Sequence, residues 1–167
     1  FGEKNIASGD SEVAWLRMNE RGQVTCALGS ISQGHGYETT VAQLVADQLG
    51  LSPGDVNVLP GFDSAINPST PFSGTYASRF SVVGVGAVLG AAGLLRDKIS
   101  HIAAHLLNTD RESIELRDGL ALDRKTQDGI TIGQVSWVAW RDMARLPVDL
   151  EAGLFAHYVF RPNIKPP

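Results

Sequence analysis

The first third of the chain alternates between apolar and polar positions. Residues 13–18 and 23–29 follow the period of two expected of strands with one buried face. The residues between them, 19–22, are turn formers, so the two strands are predicted to form a hairpin. The polar residues 1–12 are interpreted as an irregular lead-in.

Helical spacing then replaces the alternation. Apolar residues recur at every third or fourth position from Val41 to Leu49, and Gly50 stands where a left-handed residue would end a helix. Residues 55–60 predict a short strand. Residues 60–76 contain three prolines and little periodicity. Because so long a loop is uncommon inside a domain, it is predicted to carry function.

Residues 77–107 are rich in small and aliphatic side chains and predict one or two closely packed helices. Two patterns within them imitate functional motifs. "GVGAVLG" (84–90) is close to a dinucleotide-binding fingerprint, but its third glycine is one residue late and no clear strand precedes it, which favours glycines that serve helix packing. His101 and His105 have the spacing of two zinc ligands, but the glutamate of the zinc-protease motif is missing, which favours a helix surface.

The last third predicts smaller elements. Residues 113–124 alternate around an Asp-Gly pair at 118–119, which is a strong hairpin signal. Thr131 and Gln134 have the spacing of a capping box, which opens a predicted helix reaching about Met143. Residues 154–160 predict a final strand. This order of elements indicates an α+β fold in which a mixed or antiparallel sheet with hairpins packs against two to three helices.

Composition narrows the functional classes. The chain has 167 residues, 43% of them hydrophobic, and a formal net charge of −4, so no nucleic-acid partner is predicted. The single cysteine, Cys26, excludes an internal disulfide and is interpreted as a small core residue, in keeping with a cytoplasmic location. The longest apolar run, residues 82–95, is shorter than a membrane span, so no transmembrane segment is predicted.

The stretch "ISQGHGYETT" (31–40) combines flexible backbone, polar side chains and a helix start. Gly34 and Gly36 allow a ligand to approach the backbone closely, and the helix that follows offers unpaired amide groups to an anion. Further donors are Ser32, His35, Tyr37, Thr39 and Thr40. The residues alone leave two interpretations open, an anion site and a plain glycine turn before a helix.

A second polar stretch, "SGTYASR" (73–79), follows the long loop. It contains small residues, three hydroxyl groups besides that of tyrosine, and the cation of Arg79. If it also begins a helix, its amide groups form another site for an anion or an oxo group. The alternative is a helix cap made by Thr75 or Ser78. Two such sites are hypothesised to converge on one large anionic ligand.

Together, "GHGYETTVAQLVADQLGLSPGDVNV" and "SGTYASRF" resemble the molybdenum hydroxylases, the family of xanthine dehydrogenase, aldehyde oxidase and carbon monoxide dehydrogenase. The similarity is to the molybdopterin-binding part of the large catalytic subunit, and it extends over residues 24–107 at least. It implies a molybdenum-cofactor-binding fold. Residues 1–167 are then expected to be a single domain or a fragment of a molybdopterin-binding domain, with the start of a linker at 161–167.

The resemblance also implies the cofactor contacts. In the family, a "GQGHETT"-like turn and a "GTYGSRS"-like segment surround the molybdopterin. Carried over, the contacts are Gly34, His35, Gly36, Tyr37, Thr75, Tyr76, Ala77 and Ser78, with Ala77 near the metal. Two positions depart from the pattern, since His35 replaces a glutamine and Tyr37 replaces a histidine. Histidine can still offer one hydrogen bond, but not both amide functions of glutamine.

The activity implied is hydroxylation of aldehydes, N-heterocycles or related small molecules with oxygen from water. No catalytic residue and no metal ligand is assigned to this chain, because the family's glutamate base is expected downstream. Iron–sulfur clusters and FAD are expected on partner domains or subunits, and the rest of the large subunit is a further partner. The isolated chain is therefore predicted to be inactive. The alternative function is a non-catalytic α+β domain whose helix N-termini bind a phosphate-bearing ligand.

Overall fold

The computed structural model describes residues 11–61, 63, 75 and 78–162. Its main sheet has four strands in the order β3-β2-β1-β7. β1 is antiparallel to both β2 and β7, whereas β2 and β3 are parallel, so the predicted mixed sheet is confirmed. The strands are β1 (Glu12–Met18), β2 (Val24–Leu28), β3 (Val56–Pro60) and β7 (Leu154–Phe160).

Three helices accompany the sheet. α1 (Tyr37–Leu49) connects β2 to β3, as a parallel pair requires, and ends at Gly50 in the predicted left-handed conformation. α2 (Val85–Leu107) continues from a π-helical turn at Phe80–Gly84. α3 (Ile132–Arg141) begins with the predicted capping box, and it ends before Met143 because Met143–Arg145 form a separate 3-10 turn.

A second, smaller sheet has the order β4-β5-β6 and consists of β4 (Ile114–Arg117), β5 (Leu120–Asp123) and β6 (Gly129–Thr131). The β4–β5 hairpin is the predicted one, and both residues of its Asp-Gly turn have positive φ. β6 was not predicted, because three residues are too few to show alternation. The sheet is joined to the end of α1 by a hydrogen bond of 2.7 Å from the Gly119 amide to the Gly50 carbonyl.

The core lies between one face of the main sheet and the helices. Ala14, Leu16 and Met18 of β1 are fully buried, as are Leu95 and Ile99 of α2. The side chain of Cys26 is buried in this core, as predicted, and burial raises the pKa of its thiol to about 12.

The glycines of "GVGAVLG" serve helix packing, as predicted. A Cβ atom at Gly86 would lie 2.6 Å from the ring of Phe160, and one at Gly90 would lie 2.2 Å from the ring of Tyr158. α2 therefore sits directly on β7. The segment Phe80–Leu107 has 28 residues and, in length and composition, could cross a membrane, which the shorter apolar run did not suggest. Its buried residues belong to the core described above, so we assign it as the central helix of this domain.

Candidate functional site

The loop between β2 and α1 ends in two glycines with positive φ. The φ angles are 87° at Gly34 and 68° at Gly36, a region that other residues enter only with strain. No side chain caps α1, and a Cβ atom at either glycine would meet nothing within 4 Å. The first-turn amide groups of α1 therefore lie beside accessible backbone, as an anionic ligand requires.

His35 is exposed on this loop, and its ring orientation is set locally. The backbone amide of Gln33 donates a hydrogen bond of 3.2 Å to Nδ1 of His35. In the neutral ring Nε2 then carries the proton and can donate to a ligand. The ring also stacks on Tyr37, with centroids 5.1 Å apart and planes inclined by 27°. His35 thus presents one hydrogen-bond donor where the family pattern has an amide.

Tyr37 has a different role from His35. Its side chain is buried, and its ring stacks on Phe80, which directly follows the second motif. The ring centroids are 3.9 Å apart and the planes are inclined by 17°. Tyr37 therefore joins the two motifs and contributes mainly a ring surface.

The second motif is described in part, because Tyr76 and Ala77 lie outside the described residues. Thr75 donates a hydrogen bond from Oγ1 to the carbonyl of Ile31, at the start of the first motif. Ser78 has a φ of 56°, unusual for a residue other than glycine. Its carbonyl accepts hydrogen bonds from the Ser81 hydroxyl (2.7 Å) and the Ser81 amide (3.1 Å). These bonds hold Ser78 at the entry to the π-helical turn.

Arg79 does not serve as the cation of an anion site, contrary to the sequence-based hypothesis. Its guanidinium is buried, and Nη1 lies 2.9 Å from Oε2 of Glu12, whose side chain is also buried. Ser30 donates a hydrogen bond of 2.6 Å to the same Oε2 and accepts one of 3.3 Å from Arg79. A third contact joins Arg79 to the carbonyl of Ser11. The charge of Arg79 is therefore directed into the protein.

The two motifs converge on one pocket of about 440 Å³, as hypothesised. Its lining residues come from both segments and are Gln33, His35, Tyr37, Thr75, Ser78, Arg79, Phe80 and Ser81. Gln33 lies within the first motif, and Phe80 and Ser81 directly follow the second, but none of the three was among the predicted contacts. The wall is polar at the loop and apolar at the stacked rings, which suits a flat ring system with anionic substituents.

A second cleft, of about 460 Å³, lies between α1, α2 and β4, far along the helices from this pocket. Two of the three arginines that line it are already engaged. Arg111 is 3.4 Å from Asp97, and Arg124 donates to the carbonyls of Ser113 and Glu112. We therefore regard the pocket between the two motifs as the candidate site.

The two histidines of "HIAAH" lie on α2. His101 is 3.7 Å from Asp149, and His105 is exposed. Within the described part of the chain, no group of three or more His, Cys, Asp and Glu side chains is arranged to hold a metal ion.

Comparison with known proteins identifies the fold. The large subunit of nicotine 6-hydroxylase from Paenarthrobacter nicotinovorans is 33% identical over 145 residues, which cover 86% of this chain and 17% of that subunit. The carbon monoxide dehydrogenase large chain of Hydrogenophaga pseudoflava is 31% identical, over 91% of this chain and 18% of its own length. The crystal structure of quinoline 2-oxidoreductase from Pseudomonas putida 86 superposes with a TM-score of 0.84 at 32% identity, over 92% of this chain and 19% of that one.

The chain thus spans less than a fifth of these relatives' length, and in that span it has their fold. The sequence profile of the molybdopterin cofactor-binding domain matches residues 2–166. This match covers both motifs, the loop between them and all seven strands. The chain belongs to the molybdopterin cofactor-binding domain family.

Proposed function

We propose that this chain forms part of the cofactor site of a molybdenum-dependent oxidoreductase that hydroxylates aldehydes or N-heterocycles with oxygen from water. The observation that carries the proposal is the convergence of the two motifs on one pocket. Similarity to a nicotine hydroxylase and to a quinoline oxidoreductase supports the N-heterocycle class, since nicotine and quinoline contain such rings.

Molybdopterin would be held by the predicted contact residues. Gly34 and Gly36 leave the backbone accessible, so that the first-turn amides of α1 can donate to phosphate oxygens. His35 would donate from Nε2, because Nδ1 is occupied by the Gln33 amide. The other predicted contacts are Tyr37, Thr75, Tyr76, Ala77 and Ser78, with Tyr37 as a ring wall.

These residues fit the cofactor because of the hydrogen-bond donors that they place in the pocket. The described lining residues offer amide, imidazole and hydroxyl donors, and the one guanidinium is committed to Glu12. Pterin nitrogens, carbonyl groups and phosphate oxygens accept such hydrogen bonds. When bound, the molybdenum cofactor supplies the acceptor for the two electrons removed from the substrate. The residues of this chain bind the cofactor, orient it and cover one face of it against water.

The catalytic step needs groups from outside this chain. The glutamate base is expected in the remaining large subunit, and the electrons would leave through iron–sulfur clusters and FAD on partner domains or subunits. The partners proposed are therefore the rest of the large subunit, the iron–sulfur and flavin components and a small-molecule substrate, in the cytoplasm. The alternative, a non-catalytic phosphate-binding domain, is not favoured, because the family match covers both motifs.

The test uses the full-length protein with its partner subunits, purified from cells that make the molybdenum cofactor. We expect stoichiometric molybdenum in the large subunit by mass spectrometry of the metal. We also expect product labelled with ¹⁸O when aldehydes or N-heteroaromatic compounds are oxidised in ¹⁸O-labelled water. Residues 1–167 alone should show no turnover with an artificial electron acceptor. A complete complex without molybdenum would contradict the proposal.

A further inference from the structure

A buried polar cluster borders the pocket, and none of its three residues is among the predicted cofactor contacts. It consists of Arg79, Glu12 and Ser30, whose side chains are almost entirely inaccessible to solvent. We propose that this cluster is a positioning device, which fixes the second motif against the first at the separation that the cofactor requires. The inference rests on the proposed function, because it concerns the geometry of the same pocket.

The cluster acts on both walls of the pocket through the chain. Arg79 lies between Ser78 and Phe80, and all three line the pocket. Ser30 directly precedes Ile31, whose carbonyl accepts the hydrogen bond of Thr75. A guanidinium that is bound to Glu12 and close to Ser30 therefore restrains one wall at Ser78–Phe80 and, at Ile31, the chain that leads into the other wall.

An arginine and a glutamate in this buried cluster suit a role in fixing the geometry of the pocket better than a role in stabilising the fold. Burying an ion pair costs desolvation energy, and a well-packed apolar pair often stabilises a fold as much or more. Arginine, however, has a rigid planar fork of donors that fixes direction as well as distance. Here one fork reaches both the carboxylate of Glu12 and the carbonyl of Ser11. Such a fork determines where the backbone of residue 79 stands.

The backbone beside Arg79 needs such a restraint. Ser78 has a φ of 56°, and non-glycine residues stay in this region only where the surroundings enforce it. The π-helical turn that follows, Phe80–Gly84, is also an uncommon geometry, often found at functional sites. The buried cluster fixes Arg79, and the ring of Tyr37 holds Phe80. Ser78 and the π-helical turn therefore keep one conformation.

The experiment compares a single and a double variant of the full-length complex with the wild type. Arg79→Met leaves the carboxylate of Glu12 buried without its main partner, so it should lower the unfolding temperature and the molybdenum content together. The double variant E12L/R79M replaces the pair by two apolar residues and should restore the unfolding temperature. We expect its molybdenum content to stay about 10-fold or more below that of the wild type, because the pocket walls are no longer held in place.

Ile99→Ala serves as the control, because Ile99 is buried in α2 and does not line the pocket. It should lower the unfolding temperature while molybdenum content stays normal. If E12L/R79M does not fold, the milder Ser30→Ala is compared with Ile99→Ala instead. A molybdenum content that is lower in Ser30→Ala than in Ile99→Ala supports the inference. Full molybdenum content in the folded double variant, or equal content in that comparison, overturns it. Wild-type complex without molybdenum would instead contradict the proposed function.

Discussion

The ring of Tyr37 stacks on the ring of Phe80 at a centroid distance of 3.9 Å, which joins the first turn of α1 to the π-helical turn before α2. Both rings are buried and both line the pocket. The same contact therefore belongs to the core of the domain and to the wall of the candidate site.

The stack predicts how two substitutions of Phe80 differ. Phe80→Leu keeps an apolar side chain and loses the ring contact, so it should lower the free energy of unfolding by about 1 kcal/mol. Phe80→Ala also leaves a cavity and should cost about 3–5 kcal/mol. Urea denaturation of the purified domain measures both. Equal costs for the two variants would contradict this division, because they would show that the cavity left by alanine adds nothing to the loss of the ring contact.

His35 offers a test of the departure from the family pattern. His35→Gln restores the amide of related sequences, and we expect it to retain the molybdenum content of the wild-type complex. His35→Ala removes the donor and should lower that content about 10-fold, since one hydrogen bond to a charged group is worth about 1.5–3 kcal/mol. Neither variant should move the unfolding temperature much, because His35 is exposed. Normal molybdenum in His35→Ala would remove this residue from the site.

Gly36 and Gly119 form a matched pair. Their φ angles are 68° and 76°, and a Cβ atom at either position would meet nothing within 4 Å. Alanine should therefore cost about 1–2 kcal/mol of stability at both positions. Only Gly36→Ala should also reduce molybdenum content, because its methyl group would stand where we propose that the cofactor approaches the backbone. Equal molybdenum in the two variants would contradict the assigned role of Gly36.

Gly90 and Gly93 test the packing of α2 on β7. An alanine Cβ at Gly90 would lie 2.2 Å from the ring of Tyr158, whereas nothing lies within 4 Å of one at Gly93. Gly90→Ala should lower the free energy of unfolding by about 1–3 kcal/mol through overpacking. Gly93→Ala should raise it by up to about 1 kcal/mol, because alanine favours the helix. Urea denaturation measures both changes in the free energy of unfolding. Changes of the same sign in the two variants would contradict the close packing of α2 on β7.

The burial of Cys26 predicts that the free energy of unfolding depends on pH. Burial raises the pKa of its thiol from an ordinary value of about 9 to about 12, so the folded state holds the proton that the unfolded state releases. Its contribution to stability is present below pH 9 and is lost between about pH 9 and pH 12 at about 1.4 kcal/mol per pH unit. Cys26→Ala should lack this loss. At pH 8, iodoacetamide should modify the peptide containing Cys26 only after unfolding, and rapid modification of the folded protein would contradict the burial.

Local signals predicted most of the fold. The capping box at Thr131, the Asp-Gly turn and the left-handed end of α1 depend on residues close together in sequence, and all three were confirmed. The short strand β6 was not predicted, because it is a strand only through its pairing with β5. Because pairing between strands is not visible in the pattern of one segment, the sequence could not predict the number of sheets.

The site was predicted less completely. The motif residues were identified through a family resemblance, and the convergence of both segments depends on contacts across the fold. Arg79 was interpreted as a cation of the second polar stretch, because a sequence does not show which charged group an arginine meets in the fold. Its actual partner, Glu12, is 67 residues away and had been placed in an irregular lead-in. Only the folded chain brings these two charges together.

Thr75 and Ile31, which tie the two pocket walls together, are 44 residues apart in sequence. Neither wall can hold a ligand in place before α1 and β3, which lie between them in the chain, have folded. We therefore expect maturation to run in a fixed order, with folding of the domain first and insertion of the cofactor afterwards. The cofactor then acts as a ligand of the native state alone, and its loss would expose the protein to unfolding.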